Sequence, residues 1–232
     1  MKTVGLVGGI GPESTIAYYR MIVASYRERS GDGASPSVLI DSIDVRTLLD
    51  LMGRRDFDGL VAYLLPELER LARAGADFAL LAANTPHVVF EPLAARSPIP
   101  LLSIVEATAD AIAARGFERV ALFGTKFTME GGFYEPALQR RGIRLSLPEA
   151  DDREIIHAKY VGELLNNVFS PETRARLYGI IDALRERHGI EAVILGGTEL
   201  PLLLTEAWHG GVAIIDTTRT HVDAIVNELL SA

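Results

Sequence analysis

Val4-Gly5-Leu6-Val7-Gly8-Gly9 in the first half of the chain and Val120-Ala121-Leu122-Phe123-Gly124-Thr125 in the second are apolar runs that close on glycine. Ala83-Asn84-Thr85-Pro86-His87 begins 75 residues after Gly8, and Gly197-Thr198-Glu199-Leu200-Pro201 begins 73 residues after Gly124. Each half therefore pairs a glycine-ended strand with a later apolar strand ending in a small residue, a threonine and a proline. Such a repeat points to two similar α/β units that arose by duplication and face each other about a pseudo-twofold axis. The alternative is coincidence between two generic strand endings.

Outward from these segments, apolar runs alternate with longer amphipathic stretches, the pattern of parallel sheets flanked by helices. Strands are expected at 3–8, 37–43, 77–82, 120–124, 144–147, 192–196 and 212–215, and helices at 12–29, 60–74, 104–114, 171–187 and 218–230. Ser170-Pro171-Glu172 supplies a cap, a proline and an acid at one helix start. Gly75, Gly116 and Gly189 each close a charged helix before a strand. The expected fold class is α/β, two parallel-sheet units with the active-site cleft between them. Residues 1–98 with 212–232 would form the first unit and 99–211 the second, with Ser97-Pro98-Ile99-Pro100 as the crossing. Val222, Ile225, Val226, Leu229 and Leu230 recur at helical spacing, so the closing helix is expected to return and pack on the first unit.

Composition narrows the function classes. The 232 residues are 48% hydrophobic and 23% charged, ordinary for a globular protein. The net charge of −8 argues against nucleic acid or an anionic membrane as partner. No apolar run reaches the roughly 18 residues of a membrane span. The start, Met1-Lys2-Thr3-Val4-Gly5-Leu6, enters a strand-like run without signal-peptide organisation, so a cytoplasmic location is expected. There is no cysteine, which excludes disulfides, thiolate metal sites and every thiol-based mechanism. His87, His157, His188, His209 and His221 show no metal-ligand spacing, and no metal site is expected.

Ligands of open parallel sheets sit beyond the carboxyl ends of the strands. Four polar, glycine-rich segments fall there: Gly8–Thr15, Ala83–His87, Gly124–Thr128 and Gly197–Glu199. Gly8-Gly9-Ile10-Gly11-Pro12-Glu13 reads as a turn feeding a helix whose backbone N–H groups favour a carboxylate or phosphate, or simply as a tight strand–helix turn. It is not a dinucleotide fingerprint, since Ser14 stands at the third glycine position, and there is no phosphate-binding GxxxxGK[ST] loop.

Gly8-Gly9-Ile10-Gly11-Pro12-Glu13-Ser14-Thr15, Ala83-Asn84-Thr85-Pro86-His87, Phe123-Gly124-Thr125, Leu195-Gly196-Gly197-Thr198-Glu199-Leu200-Pro201 and the closing Asp216-Thr217-Thr218 together resemble the PLP-independent aspartate/glutamate racemase family, in order and along nearly the whole chain. The resemblance implies a two-unit α/β fold, no cofactor, a small amino acid or dicarboxylate as partner, and commonly a homodimer. It also implies proton exchange at the α-carbon by two cysteines on opposite faces of the substrate, one as thiolate base and one as thiol donor. Inversion requires that opposition, because the proton must return to the face opposite the one that lost it.

The sequence departs from that pattern at both decisive places. Ala83 stands where the family's first cysteine precedes Asn-Thr, and Gly197 where the second precedes Thr-Glu. Neither side chain can titrate, so recognition can carry over while the two-thiol mechanism cannot. By the resemblance, Gly9, Asn84, Thr85, Thr125 and Thr198 belong to the substrate-binding set, with Arg46 and Lys159 as the cations for an acidic substrate or, alternatively, as solvated surface charges. His87 and Glu199 are the candidates for replacement acid–base groups, each with a structural alternative. His87 would instead cap the following helix or hydrogen-bond within the core, and Glu199 would accept from backbone near Thr198. His157 is a further candidate. Three functions stay open: an amino-acid racemase-family enzyme (an isomerase) with atypical chemistry, a catalytically silent carboxylate-binding paralogue, and a thiol-free variant of an active racemase.

Overall fold

The computed structural model describes residues 2–31 and 33–231. The chain divides into two compact units, Met1–Ile104 with His221–Ala232, and Val105–Thr220. The first unit runs β1 (Thr3–Gly8), α1 (Pro12–Ser30), β2 (Ser37–Ser42), α2 (Val45–Gly53), α3 (Phe57–Arg73), β3 (Phe78–Leu81), a 3-10 turn (Thr85–Val89), α4 (Phe90–Ala94) and β4 (Leu101–Leu102). Then come α5 (Ile104–Ala114), β5 (Arg119–Gly124), α6 (Lys126–Glu130), α7 (Glu135–Gln139), β6 (Arg144–Ser146) and α8 (Ala150–Gly162). A 3-10 turn (Leu164–Asn166), α9 (Pro171–His188), β7 (Ala192–Gly196), α10 (Leu200–Leu203), β8 (Trp208–His209), β9 (Val212–Asp216) and α11 (Thr217–Leu230) complete the chain.

The first sheet has strand order β2-β1-β3-β4, all parallel. The second has order β6-β5-β7-β9-β8, parallel except for the antiparallel edge strand β8. The four parallel strands of each unit thus follow one winding, in which the first strand of the unit lies between its second and third. The repeated sequence segments occupy equivalent places in that winding: β1 and β5 are the paired glycine-ended runs, and β3 and β7 are the later ones.

Strand periodicity decides the core. Val4, Leu6, Phe78, Leu80 and Ala82 present one face of the first sheet to Tyr18, Ile22 and Tyr26 of α1 and to Val222, Ile225, Val226 and Leu229 of α11. Val7, Ala79 and Leu81 present the other face to Leu60, Leu64, Leu68 and Leu71 of α3 and to Leu48, Leu51 and Met52 of α2. The closing helix therefore packs on the first unit through Val222, Ile225, Val226 and Leu229, while Leu230, expected with them, is exposed. In the second unit Ala121, Phe123, Val193 and Leu195 pack against Ile156 and Tyr160 of α8 and Leu177, Ile180, Ile181 and Leu184 of α9. Ser170 caps α9 by accepting the Thr173 N–H at 3.1 Å, and Gly189 ends it in the left-handed conformation.

The unit boundaries lie elsewhere than expected. They fall after Ile104 and Thr220, where 98/99 and 211/212 were expected. Residues 99–102 stay with the first unit because β4 pairs with β3 through Ala79–Leu101 and Leu80–Leu102. Ser97-Pro98-Ile99-Pro100 is thus a lead-in to β4 and not the crossing. Residues 212–216 belong to the second unit because β9 pairs with β7 from Ala192–Ala213 to Leu195–Asp216. Among the described residues, no helix is long and apolar enough to cross a membrane.

Ile225 is fully buried between the first sheet and the rest of its cluster. Ile225→Ala is expected to cost about 2–5 kcal/mol in urea denaturation, the ordinary cost of truncating a core isoleucine.

Candidate functional site

The segments at the carboxyl ends of β1 and β3 are built in the first unit by close packing. A Cβ on Gly8 would lie 2.6 Å from Cγ2 of Thr15, and Gly9, at φ +78°, would place one 2.7 Å from the Ile43 nitrogen. Only glycine fits both demands at Gly9. Thr15 then turns its hydroxyl to accept the Gly9 N–H at 2.9 Å. Ser14 donates to the Ala82 carbonyl at 2.7 Å, tying the first turn of α1 to the end of β3.

Ala83 is half-buried and Asn84 buried at the start of the turn that follows β3, with Thr85 half-buried beside them. His87 is buried and stacked on Phe90. Its Nε2 lies 3.3 Å from the Ile104 N–H and accepts it, which leaves Nδ1 to donate to the Ala83 carbonyl at 3.0 Å. Burial pushes the imidazole down to about 4. Both nitrogens are spent on the backbone of its own unit, so His87 holds the Ala83 turn against the start of α5 and offers no nitrogen to a substrate. His221 is a second buried imidazole in this unit, bonded to the Tyr18 hydroxyl at 2.9 Å and donating to the Leu102 carbonyl at 3.1 Å. Burial, then the neighbouring His87, push it down to about 3.

Arg46 lies in the first turn of α2, just beyond the end of β2. Its side chain is 88% exposed and meets Asp44, the cap of that helix, at 3.2 Å. Its guanidinium is solvated and its partner in this structure is local.

In the second unit a Cβ on Gly124 would lie 2.9 Å from the Thr128 Cβ, and one on Gly196 would lie 2.8 Å from the Thr128 Cγ2. Thr128 thus plays for two strands the part that Thr15 plays for β1. Thr125 caps α6: its hydroxyl accepts the Thr128 N–H at 3.2 Å and lies 3.1 Å from the Thr128 hydroxyl. His157 accepts the Lys126 N–H at 3.3 Å through Nδ1, a structural contact. Lys159 is bound at 2.5 Å to Glu163, one turn on, and Glu163 also accepts from the hydroxyls of Thr173 (2.5 Å) and Ser170 (3.3 Å). The Glu163 hydrogen bond raises the Lys159 ammonium above its ordinary value, and the Lys159 hydrogen bond lowers Glu163.

Gly197 is buried, and the reason it is glycine is a residue the sequence did not single out. A Cβ there would fall on the Tyr160 hydroxyl, 2.5 Å from Cε2 and 2.8 Å from Cζ of the same ring. The Tyr160 hydroxyl donates to Oε2 of Glu199, and the Thr198 hydroxyl donates to the same oxygen at 2.9 Å. Tyr160 and Glu199 are both buried, while Thr198 is half-buried. Burial, then the Glu199 charge, raise the Tyr160 hydroxyl well above the ordinary phenol range. Glu199 is therefore acceptor to two side-chain hydroxyls, in place of the backbone groups expected. Tyr160 escaped notice because it lies on α8, a polar helix that was not expected. Its signal is the i, i+4 pair Ile156 and Tyr160, the two residues of α8 that are buried.

The arrangement offers hydroxyls, an amide and one buried carboxylate–phenol pair at the strand ends. Among the described residues no group of three or more potential ligands could hold a metal ion.

Comparison with known proteins gives a consistent set. The family model described as Asp/Glu/Hydantoin racemase matches residues 7–225. The broad specificity amino-acid racemase RacX of Bacillus subtilis (strain 168) is 26% identical over 238 residues, covering 98% of each chain. A crystal structure of a candidate Asp/Glu racemase from Yersinia pestis superposes with a TM-score of 0.91 at 33% identity, covering 100% of both chains. That of an aspartate racemase homologue from Pyrococcus horikoshii OT3 gives 0.86 at 32% identity, again over 100% of both.

Two outcomes are expected. Gly197→Ala should cost about 1–3 kcal/mol in chemical denaturation, since the new methyl must displace the Tyr160 ring. The second concerns pH. His87 has a folded pKa of about 4, below the ordinary 6.5, so as pH falls through 6.5 the unfolded chain takes up a proton that the folded chain refuses. Its contribution is complete above pH 6.5 and is lost on the way down to 4, by roughly 3 kcal/mol at about 1.4 kcal/mol per pKa unit. Denaturation curves from pH 7.5 to 4 should show wild-type stability falling over this window, and less steeply in His87→Gln.

Proposed function

The chain belongs to the Asp/Glu/hydantoin racemase family, and from that premise we propose that it binds a small amino acid or dicarboxylate at the carboxyl ends of its parallel strands without inverting it by a two-thiol route. The observation that carries this is the contrast at the two strand ends. Asn84, Thr85 and Thr198 keep polar side chains there, while the neighbouring Ala83 and Gly197 carry no titratable atom. Hydroxyls, a carboxamide and peptide N–H groups suit an α-carboxylate. A thiol-dependent exchange has no group to start it in a chain without cysteine.

The packing above Gly197 favours binding by a chain adapted to glycine over a racemase from which a thiol was merely removed. A cysteine at that position would need the volume of the Tyr160 ring. The description of the Bacillus subtilis relative as an amino-acid racemase, and of the Pyrococcus horikoshii protein as an aspartate racemase homologue, supports the ligand class. Arg46 and Lys159 remain the proposed cations toward an acidic ligand, Lys159 by giving up part of its bond to Glu163.

Titration calorimetry with L- and D-aspartate and glutamate is expected to show binding of at least one of them, weakened about tenfold by Asn84→Ala (about 1.4 kcal/mol). Chiral chromatography of the same mixtures should show no inverted product. Heats at the dilution level for all four would overturn the proposed binding, and inversion by the wild-type chain, which has no cysteine, would overturn its reading as a binder that does not invert its ligand.

A further inference from the structure

Tyr160 and Glu199 form a buried pair of titratable side chains at the carboxyl end of β7, and no structural need explains both. A purely apolar residue from α8 would cover Gly197 as well as a tyrosine ring does. A buried carboxylate is costly unless it is paired, so keeping Glu199 at 8% exposure calls for the donors it has, Tyr160 and Thr198. The Tyr160 hydroxyl also stands in a particular place: where a Cβ of residue 197 would begin. The oxygen is thus located where the side chain of a larger residue 197 would project, next to Thr198, which is half-buried and so reaches the surface of the unit.

Resting on the binding proposed above, the geometry points to Tyr160, backed by Glu199, as a proton-transfer group that exchanges the α-proton of a bound amino acid on one face only, with retention of configuration. In the forward step the Cα–H bond breaks and its proton passes to the Tyr160 Oη. In the same step the phenol proton passes to Oε2 of Glu199. The electron pair stays on the α-carbon, delocalised into the α-carboxylate, and nothing is oxidised or reduced. Proton transfer through the phenol to the carboxylate avoids a free phenolate, which burial and the adjacent negative charge both disfavour. The Glu199 proton exchanges with water, and the reverse step returns a solvent proton to the face that lost one.

The experiment is incubation of the whole protein with L- and D-aspartate and glutamate in deuterated water. Loss of the α-proton signal is followed by NMR, configuration by chiral chromatography and affinity by calorimetry. The expected result is deuterium incorporation into one enantiomer of the amino acid that binds, with its configuration kept. Tyr160→Phe keeps the ring over Gly197 and should lower the exchange rate at least about a hundredfold, the usual scale of a general acid–base group, with affinity changed less than about threefold. Glu199→Gln keeps an acceptor for the phenol but cannot take its proton, and should lose exchange similarly. Binding without exchange, exchange unchanged in Tyr160→Phe, or inverted product would overturn the proton-transfer role while leaving binding intact. Failure of all four amino acids to bind overturns the ligand class first, and the exchange with it.

Discussion

Van der Waals exclusion at the strand ends governs the rest of this molecule. β1, β5 and β7 each terminate in glycine because a threonine from a neighbouring helix occupies the space a Cβ would need: Thr15 of α1 at Gly8, and Thr128 of α6, the helix after β5, at both Gly124 and Gly196. The close approach does two things at once. It brings the helix start against the strand end, so that the connecting turn is short, and it puts a hydroxyl where that turn has an amide to satisfy, as Thr15 does for Gly9 and Thr125 for Thr128. The strand ends are therefore ordered by the chain itself. A ligand arriving there meets a surface whose hydrogen bonds are already largely made.

The same exclusion acts differently at Gly197. Here the occupant is an aromatic ring from α8, and its oxygen is tied to Glu199, which Thr198 also holds. Three side chains and one missing side chain make up a single packing unit. Changing Gly197 moves Tyr160, and moving Tyr160 strips Glu199 of one of its two side-chain donors. Coupling of this kind makes effects at these positions non-additive. It also makes a glycine at 197 the condition for the tyrosine rather than a neutral exchange of a small residue.

Much of the fold was legible because it is encoded locally. Apolar runs closing on glycine gave β1 and β7 at their observed limits, and proline or serine starts and glycine stops gave α1 and α9 to within one residue. What escaped depends on partners far away in sequence. β4 is two residues long and exists only by pairing with β3, so nothing in Leu101-Leu102 alone announces that the first unit extends past the proline pair before it. α8 turns few side chains inward, Ile156 and Tyr160 among 13 residues, so periodicity is faint where the most informative tyrosine lies. The site shows the same division. Positions 83 and 197 were located by motif, and the absence of titratable groups there follows from residue identity. Occupancy of a donor or acceptor is invisible to motif. The hydrogen bonds that Gly9 and Thr125 make within the chain, and the backbone partners of both His87 ring nitrogens, were not readable from motif.

Those occupancies bear on what chemistry such a chain can do. A histidine whose Nε2 accepts from one backbone N–H and whose Nδ1 donates to a backbone carbonyl has its tautomer fixed, and burial holds it neutral. Recruiting it as a base would give up the hydrogen bond that its Nε2 accepts from the Ile104 N–H. Glu199 faces the opposite situation. Its partners are hydroxyls, which can reverse the direction of a hydrogen bond as a proton moves, whereas a backbone amide cannot. In the proposed exchange the phenol can therefore take up one proton as it gives up another while every heavy atom keeps its neighbour. That difference between a backbone-locked and a hydroxyl-linked titratable group, rather than burial, separates His87 of the first unit from the carboxylate–phenol pair of the second.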